Sequence, residues 1–374
     1  MPSVRVAIAL SLCVPLVSFA QDRPAGISEA AWEIHHSGLL FDGHNDLPWQ
    51  MREFAGGSFD RMDIAVLQPK LHTDIPKLKR SGLKAQFWSV YVPADTDVAG
   101  TALVQTLEQI DIAHAMFKRY PDIFEQAQTA DDIERIAKSG RIASMLGVEG
   151  GYSMQGSLPL LKKFHDLGVR YMTLTHNKTT AWADAATDKP QHGGLTEFGE
   201  EVVREMNRLG LLVDLSHVSV DTMRDALRVT TAPVIFSHSS TRAICDHPRN
   251  VPDDILRELP QNGGVVMINF FSGFVVPTEE LKRDKMARGT LQNVADHIDH
   301  AVKVAGIDHV GIGADFDGVT RLPVGLEDVS CYPALTQELV TRGYDRESLH
   351  KLLGGNILRV LRAAEDVAKT WPQQ

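Results

Sequence analysis

Cysteine is scarce in this chain, with three in 374 residues. Cys13 falls in an N-terminal apolar run, which leaves Cys245 and Cys331 and room for one disulfide at most. A disulfide framework and a cysteine-rich zinc cluster are therefore both excluded. Basic residues are also in deficit: 38 Lys and Arg face 48 Asp and Glu, a net charge of −10, which argues against a nucleic-acid partner. No apolar run reaches the roughly 20 residues that a membrane span needs. The polar tail AAEDVAKTWPQQ lacks the hydrophobic stretch of a GPI signal, so no membrane anchor is expected. G-x-S-x-G, P-loop and Rossmann glycine patterns are missing as well, and no cysteine stands out as a nucleophile.

The N-terminal segment MPSVRVAIALSLCVPLVSFAQD reads as a secretory signal. It has one basic residue, Arg5, then an apolar run, then small residues at Ser18 and Ala20. Cleavage is expected after Ala20, giving a signal peptide over 1–20, a single domain over 21–374, and a periplasmic or secreted product. Leu12 is a poor neighbour for a lipid-modified Cys13, so a lipoprotein is not expected.

Beyond the leader, short apolar runs alternate with amphipathic helical patterns. The runs are GLLFDGH (38–44), AQFWSVYV (85–92), RIASMLGVEG (141–150), VRYMTLTH (169–176), GLLVDLSH (210–217), PVIFSHSS (233–240), GGVVMINFF (263–271) and HVGIGADFDG (309–318). Their near-continuous apolar character suits parallel strands buried on both faces. Residues 101–119, 197–209 and 289–306 carry the 3–4 spacing of helices that cover a sheet. Thr196 is placed to cap the second, and Gly306 to end the third. Eight such runs predict an α/β fold, a (β/α)8 TIM barrel, with a doubly wound sheet as the competing arrangement.

Barrel enzymes work at the C-terminal ends of their strands. Six of the eight runs end there in a metal-binding or proton-carrying residue: His44 with Asp46, Glu149, His176, His217, His238 and Asp315. Each alone is more simply a hydrogen-bonded structural residue, and Asp214 and Asp317 fit that plainer role. His114, His165 and His350 fall in helical segments, and His297 and His300 lie on an outer helix; none of these is assigned to the site. Structural histidines would scatter, whereas four of the strand-run histidines mark one end. Even without His176, three histidines and three carboxylates exceed what one catalytic zinc needs. The surplus points to two metals about 3.5–4 Å apart, sharing a carboxylate and a hydroxide. His44 and Asp46, two residues apart, reach one ion only if the strand kinks, which Gly43 and Asn45 permit.

Taken in order, DGHNDLPW (42–49), GVEGG (147–151), LTHN (174–177), the stretch 194–219 ending in LVDLSHVS, APVIFSHSS (232–240), RNVPDD (249–254), VADHIDHAVKVAG (294–306), GIGADFDGV (311–319) and GLEDVSCYPALTQEL (325–339) resemble the membrane (renal) dipeptidase family of binuclear zinc peptidases, within the amidohydrolase superfamily. The resemblance covers essentially the whole chain after the leader. It implies two Zn2+ ions: His44 and Asp46 on one, His217 and His238 on the other, with Glu149 and a hydroxide bridging them. It implies that His176 polarises the scissile carbonyl and steadies the oxyanion, and that Arg249 grips the α-carboxylate of the substrate. Asp315 would meet the substrate's amino end and carry the proton to the leaving amine.

The implied activity is hydrolysis of free dipeptides, including those with a D-residue at the C-terminal position, by attack of the metal-bridging hydroxide. The family also hydrolyses some β-lactams. A homodimer is expected from the family alone. Two rival readings are a binuclear amidohydrolase acting on N-acyl-amino acids or lactams, and a catalytically silent ligand-binding barrel. The intact set of site residues speaks against silence. Mammalian members carry a GPI signal and several cysteines, and this chain departs from them in both respects.

Overall fold

A computed structural model of the chain describes residues 23–372. The expected signal peptide, 1–20, lies outside the described residues. Among these residues nine strands form one parallel sheet: β1 (Leu40–Asn45), β2 (Leu83–Ser89), β3 (Phe124–Gln126), β4 (Ile142–Glu149), β5 (Val169–Thr173), β6 (Leu212–Asp214), β7 (Ile235–Phe236), β8 (Val265–Ile268) and β9 (Val310–Ile312). Their order is β2-β1-β9-β8-β7-β6-β5-β4-β3, and pairing of β2 with β4 closes the ring. Eight strands thus make a closed TIM barrel, and each overlaps one of the eight apolar runs.

The sequence reading missed β3. This strand pairs with the foot of β4 (Phe124↔Ile142 to Gln126↔Ser144), below the level where β5 joins β4 at Leu146. It covers a short length of β4 edge outside the barrel, and three residues carry too little pattern to be seen.

The alternation of side chains divides the core in two. Phe41, Phe87, Met145, Tyr171, Leu212, Ile235 and Met267 fill the barrel and continue into Ile357, Val360 and Leu361 of the helix Asn356–Lys369. Their outward neighbours, among them Leu40, Trp88, Leu146, Met172, Val213 and Val266, pack under the surrounding helices. Three helices fall where the 3–4 spacing puts them. Ala102–Arg119 is the first. Glu197–Leu209 has Thr196 Oγ accepting from the Gly199 amide and a left-handed Gly210 at its end. Leu291–Ala305 opens on a capping box between Thr290 and Asn293. Among the described residues no helix is long and apolar enough to cross a membrane. Cys245 and Cys331 are free thiols, so the one disulfide the composition allows is not made.

Two buried histidines have structural roles: His297, one of those not assigned to the site on sequence grounds, and His35. His297 accepts the Thr241 amide at 3.0 Å on Nδ1 and faces the Val275 carbonyl with Nε2. His35 lies between Thr336 Oγ1 at 2.7 Å and the Ser81 carbonyl at 2.8 Å. Burial pushes His35 down from an ordinary 6.5 to about 4, and His297 to about 3. Both therefore stay neutral in the native state while the unfolded chain takes up their protons near pH 6.5. The stability they contribute is complete above that pH and is lost as the pH falls toward 4. Urea denaturation at pH 7 and pH 5 should show a loss of about 2 kcal/mol per histidine. His297→Gln should remove its share of that slope.

Candidate metal centre and active site

The barrel opens at the C-terminal ends of its strands onto a cavity of about 450 Å³. Asp46, Glu149, His176, His217, His238, Arg249 and Asp315 all line it. Of the residues assigned to the site on sequence grounds, only His44 and Glu149 lie within strands; Asp46, His176, His217, His238 and Asp315 follow a strand end by one to three residues, and Arg249 lies thirteen residues beyond β7.

The first pair is delivered by an irregular strand. Between Asp42 and Asn45, β1 advances three residues while β2 advances two, from Gln86 to Trp88. This one-residue bulge is the kink that an H-x-D pair requires. It is locked by Asp42 Oδ1, which accepts the His44 amide at 2.8 Å, while Asp42 Oδ2 accepts from Ala314 N and the Tyr332 hydroxyl. Asn45 bridges to Thr73 Oγ1 and accepts the Leu47 amide. Both residues are thus supports and not ligands. Gly43 is needed for space: a Cβ there, or on Gly313, would strike the carbonyl of Ser237.

Glu149 stands at the centre, 4% exposed, with its two oxygens facing different partners. Oε2 lies 3.6 Å from His44 Nε2, which in turn is 3.1 Å from Asp46 Oδ2. Oε1 lies 3.0 Å from His217 Nε2 and 3.4 Å from His238 Nε2. Those two Nε2 atoms are 3.0 Å apart. His176 joins the second group: its ligand atom and those of Glu149 and His217 all lie within 4.8 Å of one another. Asp315 joins His44 and Asp46 on the same measure.

The far nitrogens of His44, His217 and His238 are engaged elsewhere. His44 Nδ1 is 2.7 Å from the Tyr171 hydroxyl, and His217 Nδ1 is 3.2 Å from Asn177 Oδ1. His238 Nδ1 is 2.8 Å from Ser237 Oγ, which donates its own proton to Asp214 Oδ2 at 2.6 Å. Ser237 Oγ must therefore accept from His238 Nδ1–H, which leaves a lone pair on Nε2. Asp214 also accepts Thr173 Oγ1 and the Ser216 and Ser237 amides, so it fixes this end of the barrel.

The donor set fits divalent metal. Burial, then the nearby Arg249, holds His217 well below the ordinary imidazole range, and burial with His44 does the same to His238. Neutral Nε2 atoms and a carboxylate oxygen at 3.0–3.4 Å are mutually repelling acceptors unless a cation lies among them. Asp46 Oδ1 is buried with no hydrogen-bond partner. Burial opposes charge on His44, yet Tyr171, Asp46 and Glu149 outweigh it and raise its pKa well above the usual value. The field at that end of the cluster therefore favours positive charge, as a proton or as a metal ion. Mixed imidazole and carboxylate ligation of this kind suits zinc.

Around the cluster lie the groups that could hold a substrate. Arg249 is 3% exposed, and among the described residues no carboxylate reaches it at ion-pair distance. Its guanidinium has long contacts to Ser239 Oγ and the His238 carbonyl and lies 5.3 Å from the centre of the Phe274 ring. Asp315 accepts from Asn269 Nδ2 at 2.8 Å and is pushed up to about 7, by burial first and then by Asp46 and Glu149, against the lowering effect of His44 and Asn269. Trp49 and Tyr91 pack edge to face and Tyr91 meets His176 in the same way, forming one aromatic wall; Phe271 and Phe274 form another. His217, Asp315 and Asp317 have positive φ, at 69°, 66° and 65°. Such conformations persist only where the surroundings hold them, and they gather at functional sites. Asp317 accepts the His72 amide on Oδ1 and returns its own amide to His72 Nδ1, the loop-fixing role expected of it.

Sequence reasoning missed Tyr171, Asn177, Ser237, Asn269 and the aromatic walls. Tyr171 had a legible signal, as a polar-tipped ring at an inward position of an apolar strand. Asn177, Ser237 and Asn269 sit in loops whose course no periodicity reveals, and Trp49 and Phe274 lie on the short helices Leu47–Ala55 and Ser272–Val275.

A model of the membrane dipeptidase family (peptidase family M19) matches residues 28–374. The probable dipeptidase PvdM from Pseudomonas aeruginosa is 25% identical with a TM-score of 0.81, over 90% of this chain and 98% of that one. A metallo peptidase from Rhodobacter sphaeroides, solved with a phosphinate mimic of the dipeptide L-Ala-D-Ala, is 27% identical with a TM-score of 0.79, over 87% and 99%. An amidohydrolase from Pseudomonas aeruginosa, 23% identical with a TM-score of 0.74 over 90% and 99%, shares the fold. The chain belongs to the membrane dipeptidase family.

If the Asp214–Ser237 link orients His238 as the hydrogen bonds indicate, Ser237→Ala should weaken metal binding by about 10–100-fold. Competition against a chromogenic chelator measures this, and wild-type affinity in the variant would show that the link does not orient the ring.

Proposed function

We propose that this member of the membrane dipeptidase family is a zinc-dependent dipeptidase that hydrolyses free dipeptides, those with a C-terminal D-residue included. The observation that carries the reading is a buried, unpaired guanidinium, Arg249, sharing one small cavity with the metal-fitting cluster and Asp315. A buried cation without an anionic partner is costly unless a ligand supplies one. A planar fork suits a carboxylate held by two hydrogen bonds.

In this reading His44 and Asp46 would hold one zinc and His217 and His238 the other, with Glu149 placed to serve both. Bound there, the two ions would act as Lewis acids and make ionised water available near neutral pH to attack the amide carbon. Arg249 binds the α-carboxylate and sets the depth to which the substrate enters. His176, against Tyr91 and beside Glu149 and His217, donates to the carbonyl oxygen as negative charge develops on it. Asp315, held by Asn269, binds the free amine and passes a proton to the departing nitrogen. Fixed partners for both substrate termini explain a restriction to two residues. A third residue would carry the carboxylate past Arg249. Tolerance of a D-residue is supported by the L-Ala-D-Ala mimic bound to the Rhodobacter sphaeroides relative. We also propose export, on the sequence of residues 1–20 alone; the exported protein should begin at Gln21.

Metal analysis should find about two zinc ions per chain, and a chelator should abolish cleavage of L-Ala-L-Ala and L-Ala-D-Ala. N-acetyl-Ala-Ala and tri-alanine should be poor substrates; preference for the acetylated compound would favour the N-acyl amidohydrolase reading. Arg249→Ala should lower kcat/KM for dipeptides by about 10–100-fold, the loss expected of a charged hydrogen-bonded contact, with zinc content near normal. Zinc loss in that variant would show the role to be misassigned.

A further inference from the structure

The 23 residues between β5 and the helix Glu197–Leu209 form no helix or strand beyond the isolated bridges Ala183↔Leu195 and Ala185↔Val218. Segments of this length without regular structure are usually functional. This one begins at the cavity, with His176 and Asn177, and its later residues do not line it. What gives it one shape is Asp184, which is buried and does not line the cavity. Its Oδ1 accepts from Gln191 N at 2.8 Å and His192 N at 3.2 Å. Its Oδ2 accepts from His192 N at 3.1 Å, Gly193 N at 2.8 Å and Gly194 N at 3.0 Å. Four consecutive amides thus converge on one carboxylate.

The main chain of the same residue grips the strand end that carries His217. The Asp184 carbonyl accepts from Ser219 N at 2.9 Å and Thr222 Oγ1 at 3.0 Å. Two residues on, Ala186 N donates to the His217 carbonyl at 2.7 Å, and Thr175 Oγ1 adds a second donor at 3.2 Å. His217 is the residue that needs such holding, since its φ of 69° is one that side-chain-bearing residues seldom adopt. Its ring is held by Asn177, from the start of the same loop.

We propose that Asp184 is a positioning residue for His217: its carboxylate sets the loop whose Ala186 amide and Asn177 side chain keep His217 in its metal-binding pose. The inference rests on the reading that His217 binds zinc. Asparagine at this position would present an N–H2 to amides that are themselves donors, so Asp184→Asn breaks the convergence with almost no change in volume.

The test is chelator competition on metal-stripped protein, giving the number and affinity of zinc sites for wild type, Asp184→Asn, His217→Ala and the double variant. Asp184→Asn should weaken one zinc site by about 10–100-fold, the usual cost of disturbing a group that orients a ligand, and leave the other unchanged. In the His217→Ala background it should weaken binding no further. Thr222→Val, a milder loss on the same anchor, should weaken the same site by a smaller factor. It serves alone if Asp184→Asn does not fold. Wild-type affinity in the variant that folds, or an equal loss with and without His217, overturns the proposal, the second result marking a general loosening of the fold. A wild-type protein that binds no zinc overturns this proposal and the dipeptidase reading together. Two zinc sites in wild type and two unaltered ones in Asp184→Asn overturn this proposal alone.

Discussion

A carboxylate buried among imidazoles is the constraint on which this structure depends. Glu149 sits at the end of β4 with His44 near one oxygen and His217 and His238 near the other. Burying an acid in this way is costly unless positive charge accompanies it. The rings cannot all supply that charge, because burial and Arg249 hold His217 far below its usual range. The hydrogen bond from His238 to Ser237 leaves its inward nitrogen a lone pair. The cluster is therefore matched to added cations, and the barrel around it serves to keep mutually repelling acceptors in place.

That holding is done by backbone packed too closely for side chains and by rings with both ends tied. The Ser237 carbonyl fits between Gly43 and Gly313, drawing the ends of β7, β1 and β9 together. Tyr171 links the floor of the site to the apolar interior, where it packs on Phe87, and its hydroxyl meets His44. Asp42 ties the β1 bulge to Ala314 and to Tyr332 of the helix Tyr332–Thr341. Strands and the first residues beyond them thus position the cluster and Asp315, whereas Arg249, suited to a substrate's carboxylate, stands on a longer segment thirteen residues past the end of β7. This division lets a barrel keep one chemistry while its loops set what enters.

The ring of eight strands and the site's charged residues were legible in the sequence for one reason. Parallel barrel strands are buried on both faces, so an ionisable residue at the end of an apolar run stands out from everything around it. The same contrast separated His238 from His297: both are buried, but one ends a run and the other lies on a helix face. β3 gave no such contrast in three residues. Gly43 was read as permitting the kink, which the bulge in β1 bears out, and it also proves to be a gap that the Ser237 carbonyl fills. Ser237 and Asn269 lay inside quoted motifs, but a hydroxyl or an amide acquires a role only through the partner across from it.

Local pattern alone pointed to an α/β fold of buried parallel strands, with a closed barrel favoured over a doubly wound sheet, to the end of the barrel that carries the chemistry, and to His44, Asp46, Glu149, His176, His217, His238 and Asp315 as candidate residues of the site. Those features follow from periodicity and from the cost of placing charge beside apolar strands, which neighbours in sequence already express. Tertiary structure decided the rest: which oxygen of Glu149 faces which ring, which nitrogen of each imidazole is free, and that Arg249 lies buried with no acid to pair it. It also decided that Asp184, outside the cavity's lining, gathers the loop that holds His217. These are relations among segments brought together from distant parts of the chain, and spacing along the chain does not encode a distance across a barrel.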